Sequence, residues 1–202
     1  MRDPAFLPVM ESFHTIQGEG HYSGTSAYFV RLGGCDVGCK WCDVKASWDA
    51  SQYDWVSIQS IVDEVIVSGA KLAVITGGEP LMYDLEELTN ALKVKGIQTN
   101  IETAGVYKLT GNWDWICFSP KRFKKPIEQY YAKANELKVV IYHKNDLRWA
   151  EEHAQQMNDK AKLFLQPEWS KEKEMTPLIV DYVKDNPKWR ISLQTHKYMN
   201  IP

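Results

Sequence analysis

The sequence predicts an α/β fold in which strands and helices alternate, arranged as an incomplete (β/α) barrel. Three observations predict it. Short runs of β-branched and aromatic residues recur along the chain, amphipathic helical stretches separate them, and polar residues follow the strands. Such alternation is typical of a parallel sheet with right-handed crossovers, whose ligands bind beyond the carboxyl ends of the strands.

The first predicted strand covers residues 27–32, and the first helix follows over residues 57–68, where Gly69 ends it. A strand over 72–76 then leads through a Gly-Gly turn into a helix over 84–95, with Gly96 as its C-cap. Further strands are predicted near 97–102, 115–118, 137–142, 163–165 and 190–194, and further helices near 126–134, 146–157 and 173–185. No linker or repeat interrupts this pattern, so we expect a single domain over residues 1–202.

The bulk composition excludes several classes of protein. No apolar run approaches the ~18 residues of a membrane helix, and the N-terminus has no signal-peptide pattern, so we expect a cytoplasmic protein without membrane contact. The net charge of −2 offers no general attraction for phosphates. The basic run at 121–125 is interpreted as a solvated surface turn, and nucleic acid is not an expected ligand.

Three of the four cysteines, Cys35, Cys39 and Cys42, lie within eight residues in a C-x-x-x-C-x-x-C pattern. Cytosolic thiols stay reduced, so this clustering indicates a metal or cluster site instead of disulfides. Three thiolates can bind three irons of a [4Fe–4S] cluster and leave the fourth iron open. The remaining cysteine, Cys117, lies in an apolar run and is expected to be a small buried hydrophobe.

Zinc is the competing interpretation, but it prefers four ligands in paired spacing, and no second pair is present. An electron carrier without catalytic activity is a further alternative. Polar groups that follow the predicted strands argue for an enzyme: Thr76-Gly77-Gly78-Glu79-Pro80, Glu102-Thr103-Ala104-Gly105, Ser119-Pro120-Lys121 and Gln166-Pro167.

The cysteine spacing, with Trp41 before the third cysteine, resembles that of the radical S-adenosylmethionine (radical SAM) superfamily. The resemblance implies the incomplete (β/α) barrel of that superfamily, a [4Fe–4S] cluster on Cys35, Cys39 and Cys42, and S-adenosylmethionine cleaved to a 5′-deoxyadenosyl radical. Trp41 would pack against the adenine, and Glu79 would accept from the methionine ammonium group. The expected cofactor-binding residues are Trp41, Asp43, Gly78, Glu79, Glu102, Ser119, Pro120, Lys121 and Gln166.

Within that superfamily the chain resembles the 7-carboxy-7-deazaguanine synthase family over essentially its whole length. The motifs that carry this resemblance are Thr15-Ile16-Gln17-Gly18-Glu19-Gly20, Phe29-Val30-Arg31-Leu32, the cysteine loop, Thr76-Gly77-Gly78-Glu79-Pro80, Ser119-Pro120-Lys121 and Gln194-Thr195-His196-Lys197. It implies a lyase that contracts the ring of 6-carboxy-5,6,7,8-tetrahydropterin with loss of ammonia, in queuosine and deazapurine biosynthesis. The expected substrate-binding residues are Ile16, Gln17, Gly18, Arg31, Thr76, His196 and Pro202.

The chain departs from this family after the third cysteine, where Val44 replaces the threonine whose hydroxyl binds Mg²⁺. We expect any Mg²⁺ to be held by the substrate carboxylate, by water and by Asp43 or Ser47. The resemblance also implies a homodimer and a flavodoxin-like or ferredoxin-like electron donor. A radical SAM activase that acts on a partner protein is the alternative function, because it shares the cysteine spacing and the modest size.

Overall fold

The structure is a computed structural model that describes residues 5–202. Within that range the strands are β1 Phe6–Ile16, β2 Ser26–Leu32, β3 Trp55–Ser57, β4 Leu72–Gly77, β5 Gln98–Thr103, β6 Trp115–Phe118, β7 Glu136–Ile141, β8 Lys162–Pro167 and β9 Trp189–Ile191. The α-helices are α1 Ile58–Ser68, α2 Glu86–Val94, α3 Gln129–Lys133, α4 Asp146–Ala154, α5 Glu172–Asp185 and α6 Thr195–Met199.

All of these strands belong to one mixed sheet in the order β3-β1-β2-β4-β5-β6-β7-β8-β9. From β2 to β9 every neighbouring pair is parallel, whereas β1 runs antiparallel to both β2 and β3. The sheet stays open, since β3 and β9 are its two edges. The predicted α/β fold with an incomplete (β/α) barrel is therefore confirmed, with an antiparallel extension that we did not predict.

Apolar packing between the sheet and its helices forms the main core. Side chains of the central strands, such as Ile75, Ile101 and Leu137, are fully buried against the inward faces of the helices. Ser57 caps α1 by accepting a hydrogen bond from the Ser60 amide (3.1 Å), and Gly69 ends the helix with a φ of 75°. This core covers the outer face of the sheet, while a smaller apolar cluster around Phe29 and Val74 covers part of the inner face.

Two regions at the open edges of the sheet contact each other through the loop that follows β1. The Gly20 amide donates to Ser192 Oγ (2.9 Å), just after β9. The Thr195 amide donates to the carbonyl oxygen of Gly18 (3.0 Å). This loop thus spans the gap that strand pairing leaves open and encloses the space inside the sheet.

Several predicted boundaries differ from those observed. The last strand ends at Ile191, and α6, which begins at Thr195, was not predicted. The helix predicted near 126–134 is reduced to α3, and that predicted near 146–157 ends at Ala154. Among the described residues, none of the helices combines the length and the apolar character required to cross a membrane.

Candidate active site

A cavity of about 240 Å³ lies inside the open barrel and is lined by residues from most of the chain. Ile16, which lines it, pairs with Ser26 at the start of β2, whereas the cysteine loop begins after Leu32 at the end of that strand. The cavity therefore extends along the inner face of the sheet, instead of lying only beyond the carboxyl ends of the strands as predicted.

The cysteine loop forms one end of this cavity. Cys35, Cys39 and Cys42 all line it, and Cys42 donates its amide to the carbonyl oxygen of Cys39 (3.1 Å). All three are free thiols, and burial raises the pKa of Cys35 and that of Cys39, the latter to about 11. Iron must therefore displace their protons when it binds.

The donor set of this loop fits an iron–sulfur cluster. Among residues 5–202 no group of three or more His, Cys, Asp or Glu side chains could hold a single metal ion. A [4Fe–4S] cluster makes a different demand, since each thiolate binds its own iron and the three sulfurs need not converge on one point. Three thiols on one short loop, lining one cavity, meet that demand.

The Gly77-Gly78 turn packs directly against the cysteine loop. The Gly78 amide donates to the carbonyl oxygen of Leu32, and the Glu79 amide donates to that of Gly34, both at 2.9 Å. A Cβ atom on Gly78 would lie 2.2 Å from the Gly34 oxygen, so no larger residue fits without backbone movement. Gly78 is therefore required for the packing of this turn against the cysteine loop, and it also lines the cavity.

Glu79 and Pro120 are the two predicted cofactor-binding residues that do not line the cavity. The Glu79 carboxylate is buried and accepts hydrogen bonds from Thr103 Oγ1 (2.6 Å) and from the Ala104 amide (2.8 Å). Burial raises its pKa. In this structure the Glu79 carboxylate therefore joins the end of β5 to the turn after β4.

Lys121 and Trp41 form the wall beside the cysteine loop. Lys121 is half-buried, and its ammonium group donates to Ser119 Oγ (2.6 Å) and to the Ser119 carbonyl oxygen (2.7 Å). It lies 5.9 Å from the centre of the Trp41 ring, and burial lowers its pKa. Ser119, Lys121 and Trp41 thus offer a hydroxyl group, a cation and an aromatic face to one part of the cavity.

The middle of the cavity contains an ion cluster that we did not predict. Lys138 on β7 is buried and donates to the carboxylates of Glu19 and Glu102, the latter at 3.5 Å. Gln17 donates to Glu102 (3.1 Å), and Gln194 donates to Glu19 (2.8 Å). Burial alone would raise the pKa of Glu19, but the Lys138 ammonium group outweighs it and lowers the pKa to about 2.

Every predicted substrate-binding residue lines the cavity. Arg31 Nε donates to Glu11 (2.6 Å). His196 lies beside Gly18, where a Cβ atom would come within 2.2 Å of His196 Nδ1. The Pro202 carbonyl oxygen accepts a hydrogen bond from Thr15 Oγ1 (3.2 Å). The other four are Ile16, Gln17, Gly18 and Thr76, so residues from both ends of the chain share one wall.

A second contact that the sequence did not indicate joins α6 to the cysteine loop. Lys197 Nζ donates to Asp43 Oδ2 (3.0 Å) and to Gln194 Oε1 (3.2 Å). It also lies 5.0 Å from the centre of the Trp169 ring. Asp43, Gln194 and Trp169 all line the cavity, so this contact closes part of its rim.

A three-cysteine loop at the end of the first parallel strand of an incomplete barrel defines a radical SAM enzyme, and the sequence profile of the Radical SAM superfamily matches residues 29–116. Two relatives named 7-carboxy-7-deazaguanine synthase come from Flavobacterium psychrophilum, at 58% identity, and Synechocystis sp., at 44%. These matches span 97% and 96% of this chain and 93% of each relative. The chain belongs to the 7-carboxy-7-deazaguanine synthase family.

A solved structure supports the same assignment. The crystal structure of QueE from Escherichia coli superposes with a TM-score of 0.85 at 30% identity and covers 93% of both chains. The chain is therefore an enzyme that uses a [4Fe–4S] cluster and S-adenosylmethionine. The zinc, electron-carrier and activase alternatives receive no support from these relatives.

Proposed function

We propose that the cavity binds 6-carboxy-5,6,7,8-tetrahydropterin between the loop after β1 and the cysteine loop, and that Cys35, Cys39 and Cys42 hold the cluster beside it. One observation carries the proposal: a single cavity is lined both by the three thiols and by the residues expected to contact the pterin. The chain converts this pterin to 7-carboxy-7-deazaguanine, with contraction of the ring and loss of ammonia, in queuosine and deazapurine biosynthesis.

The cofactor side of the site is assigned to Trp41, Gly78, Ser119 and Lys121. Gly78 lines the cavity next to the cysteine loop, and Ser119 and Lys121 supply hydrogen-bond donors beside the Trp41 ring. When bound, the cluster and S-adenosylmethionine supply the radical that removes hydrogen from the substrate. Glu79 acts as a positioning residue, because its carboxylate is occupied by the β5 end.

The substrate side of the site contains complementary charges for an acidic pterin. The planar guanidinium group of Arg31 can bind the substrate carboxylate through two parallel hydrogen bonds. Glu102, held by Gln17 and Lys138, offers acceptor oxygens to the guanidine-like edge of the ring. Ile16, Gly18, Thr76, His196 and Pro202 complete this wall, and Asp43 and Gln166 also line the cavity.

The residues of this chain do not fit a magnesium site. Mg²⁺ requires a near-octahedral shell of oxygen ligands. Val44 offers no side-chain oxygen, and Asp43 already pairs with Lys197. Ser47 is buried, and its hydroxyl group donates to the Val44 carbonyl oxygen (2.7 Å). We therefore assign no step of the reaction to Mg²⁺.

We propose that a small acidic electron-transfer protein of the flavodoxin or ferredoxin type docks beside the cysteine loop in the cytoplasm. Lys40, between two cluster ligands, and Lys125 are exposed, and Lys124 lies 2.7 Å from Asp36. Phe123, 38% exposed, contacts Trp41 with ring centres 6.1 Å apart. This basic surface with an aromatic centre suits an acidic donor.

Charge reversal tests this docking surface. A variant carrying Lys40→Glu and Lys125→Glu should accept electrons from flavodoxin roughly tenfold more slowly at low salt, because long-range attraction accelerates association. Reduction by dithionite, a small reagent, should be unchanged. Lys184→Glu on α5 is the matched control. If flavodoxin reduces the unaltered protein, the double variant and the control at equal rates, the proposed docking surface is wrong.

The assembly is proposed to be a homodimer. Val67 on α1 and Val94 on α2 are 87% and 84% exposed, and these two helices pack side by side. Such side chains are candidates for burial against a second copy. Light scattering should give twice the mass of one chain, and Val67→Lys should shift the protein toward the monomer. A monomer at all concentrations would contradict this assembly.

Turnover is the direct test of the function. The reconstituted protein is incubated without oxygen with reductant, S-adenosylmethionine and carboxytetrahydropterin. We expect 7-carboxy-7-deazaguanine as the product. Arg31→Met should raise the pterin KM by roughly tenfold or more, because one charge-assisted contact is worth about 1.5–3 kcal/mol. If the unaltered protein forms deoxyadenosine but no deazapurine, the proposed function is wrong.

A further inference from the structure

Ser192, directly after β9, lies behind the wall of the cavity. It is 3% exposed and does not line the cavity, whereas Gln166 on β8 is 4% exposed and does. The Ser192 hydroxyl group accepts a hydrogen bond from the Gly20 amide (2.9 Å) and donates one to Gln166 Oε1 (2.7 Å). One buried hydroxyl group therefore connects the loop after β1 to a residue of the cavity wall.

The polarity of this chain of hydrogen bonds fixes the orientation of the Gln166 amide group. A backbone amide can only donate, so Ser192 Oγ accepts from Gly20 and directs its own proton at Gln166 Oε1. If the amide group were rotated by half a turn, the buried Ser192 proton would have no acceptor among the described residues, which is unfavourable. Gln166 therefore keeps its oxygen toward Ser192.

The nitrogen of the same amide group is available to a ligand. Within residues 5–202, Gln166 makes its side-chain hydrogen bond through Oε1 alone. Every fully buried side-chain nitrogen or oxygen atom in this part of the chain has a partner, so Nε2 must be accessible. The space that Gln166 lines is the cavity. The amide group thus offers N–H donors to the cavity and holds its acceptor oxygen away from it.

The donor at the start of this chain, the Gly20 amide, is itself held in place. The amide of the next residue, His21, donates to the carboxylate of the buried Glu136 (3.1 Å). Gly20 has a φ of 63°, and a Cβ atom there would collide with Glu136 Oε1, so only glycine brings the loop this close. Two successive amides thus bind two buried acceptors, and the Gly20 amide cannot turn away from Ser192 unless the loop moves.

We propose that Ser192 is a positioning residue that fixes the Gln166 amide group as a hydrogen-bond donor to S-adenosylmethionine. The proposal rests on the function proposed above, in which this cavity binds the cofactor. The ribose hydroxyl groups, the carboxylate and the adenine nitrogens of the cofactor can all accept a hydrogen bond. Ser192 also links this donor to the loop after β1, which carries Gln17 and Gly18 of the substrate wall.

Equilibrium binding of S-adenosylmethionine tests the proposal without turnover. The reconstituted protein is titrated in a calorimeter without oxygen and without reductant, so that the cofactor stays intact. Ser192→Ala allows the amide group to rotate and should raise the Kd roughly fivefold, which corresponds to one neutral hydrogen bond. Gln166→Met should raise the Kd by a similar factor. Ser192→Thr retains the hydroxyl group and should retain most of the affinity.

A double variant shows whether Ser192 acts through Gln166. Combined with Gln166→Met, Ser192→Ala should change the Kd by less than about twofold, because no amide group is left to position. Ser68→Ala is the matched control and should leave the Kd unchanged. Ser68 Oγ also accepts from a backbone amide, that of Ala70 (3.2 Å), and donates to the carbonyl oxygen of Val65 (2.7 Å), but Ser68 does not line the cavity.

Two results would overturn the proposal: an unchanged Kd in Ser192→Ala, or the same fivefold loss from Ser192→Ala when Gln166 is already methionine. Neither measurement involves the pterin. A chain that binds S-adenosylmethionine with the expected pattern of Kd values but makes no deazapurine therefore contradicts the proposed function alone.

Discussion

Cys117 differs from the other cysteines in its surroundings. It is buried on β6, and its sulfur lies 3.5 Å from Glu136 Oε1, while burial raises its pKa well above the usual value. Because it lies outside the cysteine loop, Cys117→Ala should retain about four irons per chain. Cys35→Ala, Cys39→Ala and Cys42→Ala should each lose most of their iron. Iron and sulfide analysis after anaerobic reconstitution checks this, and a comparable loss in Cys117→Ala would refute it.

Individual residues were predictable where their chemistry is local. The cysteine loop and Gly78 lie in short motifs, and the structure places both at one cavity. The partners of Lys138 and Lys197 lie far away in sequence, so no local spacing reveals them. A lysine inside the strand predicted near 137–142 was a usable signal for Lys138, because a cation that is buried requires a carboxylate partner.

α4 contains a buried histidine that makes stability depend on pH. His153 Nδ1 lies 2.7 Å from the Tyr131 hydroxyl group, and burial lowers the His153 pKa to about 4. In the unfolded chain His153 binds a proton below about pH 6.5, whereas in the folded chain it stays neutral until about pH 4. The free energy of unfolding therefore decreases as the pH falls from about 6.5 to about 4. The contribution lost between pH 7 and 4.5 is about 2–3 kcal/mol.

His153→Phe should remove this dependence, since phenylalanine fills the same space without titrating. The difference between its free energy of unfolding in urea at pH 7 and at pH 4.5 should be smaller than that of the unaltered protein by about 2–3 kcal/mol. His14→Phe, at an exposed position, is the matched control and should parallel the unaltered protein. If His153→Phe shows the same pH dependence of unfolding as the unaltered protein, the His153 pKa is not lowered by folding and the prediction is wrong.

The elements themselves were predictable to different degrees. The strands β4 and β6 stand out as apolar runs because both of their faces are covered or enclosed, whereas β5, with the sequence QTNIET, is mostly polar. β1 was missed, since Glu11, Ser12 and His14 interrupt its apolar pattern. It forms by antiparallel pairing with β2, which is a tertiary effect. α6 was missed for a similar reason, because a helix of five residues depends on its contacts.

The segment after α6 is expected to act in substrate binding. Deleting Ile201 and Pro202 removes a cavity wall and the acceptor for Thr15 Oγ1. The pterin KM should rise by roughly tenfold or more, while cluster content and uncoupled cofactor cleavage stay nearly constant. Steady-state kinetics beside iron analysis is the measurement. Retained substrate affinity would remove Pro202 from the proposed substrate site.

For the whole molecule, Lys138 on β7 is connected through Glu19 to the loop after β1 and to the segment after β9. It pairs with Glu19 in the loop after β1, and Glu19 also accepts from Gln194 beyond β9. Lys138→Met leaves two carboxylates without their cation and should cost about 3–5 kcal/mol in the free energy of unfolding. The deficit should shrink as the pH falls toward 5, because an unpaired, desolvated Glu19 can then bind a proton.

A second substitution provides the control for this prediction. Adding Glu19→Gln to Lys138→Met removes one uncompensated charge and should recover part of the lost stability. Urea unfolding of the single and double variants at pH 7 measures both effects. If the double variant loses as much stability as the two single substitutions together, the Lys138–Glu19 ion pair does not couple the loop after β1 to β7.

The two edge strands, β3 and β9, contain only three residues each. An exposed edge can recruit a strand from another chain, and a long one invites fibril growth. The β9 edge therefore offers very few free backbone groups, whereas among the described strands β3 pairs only with residues 6–8 of β1 and leaves residues 11–16 of β1 paired on one side alone. A chain that has not yet received its cluster therefore resists edge-to-edge polymerisation on the β9 side, and we expect any such association to begin along β1.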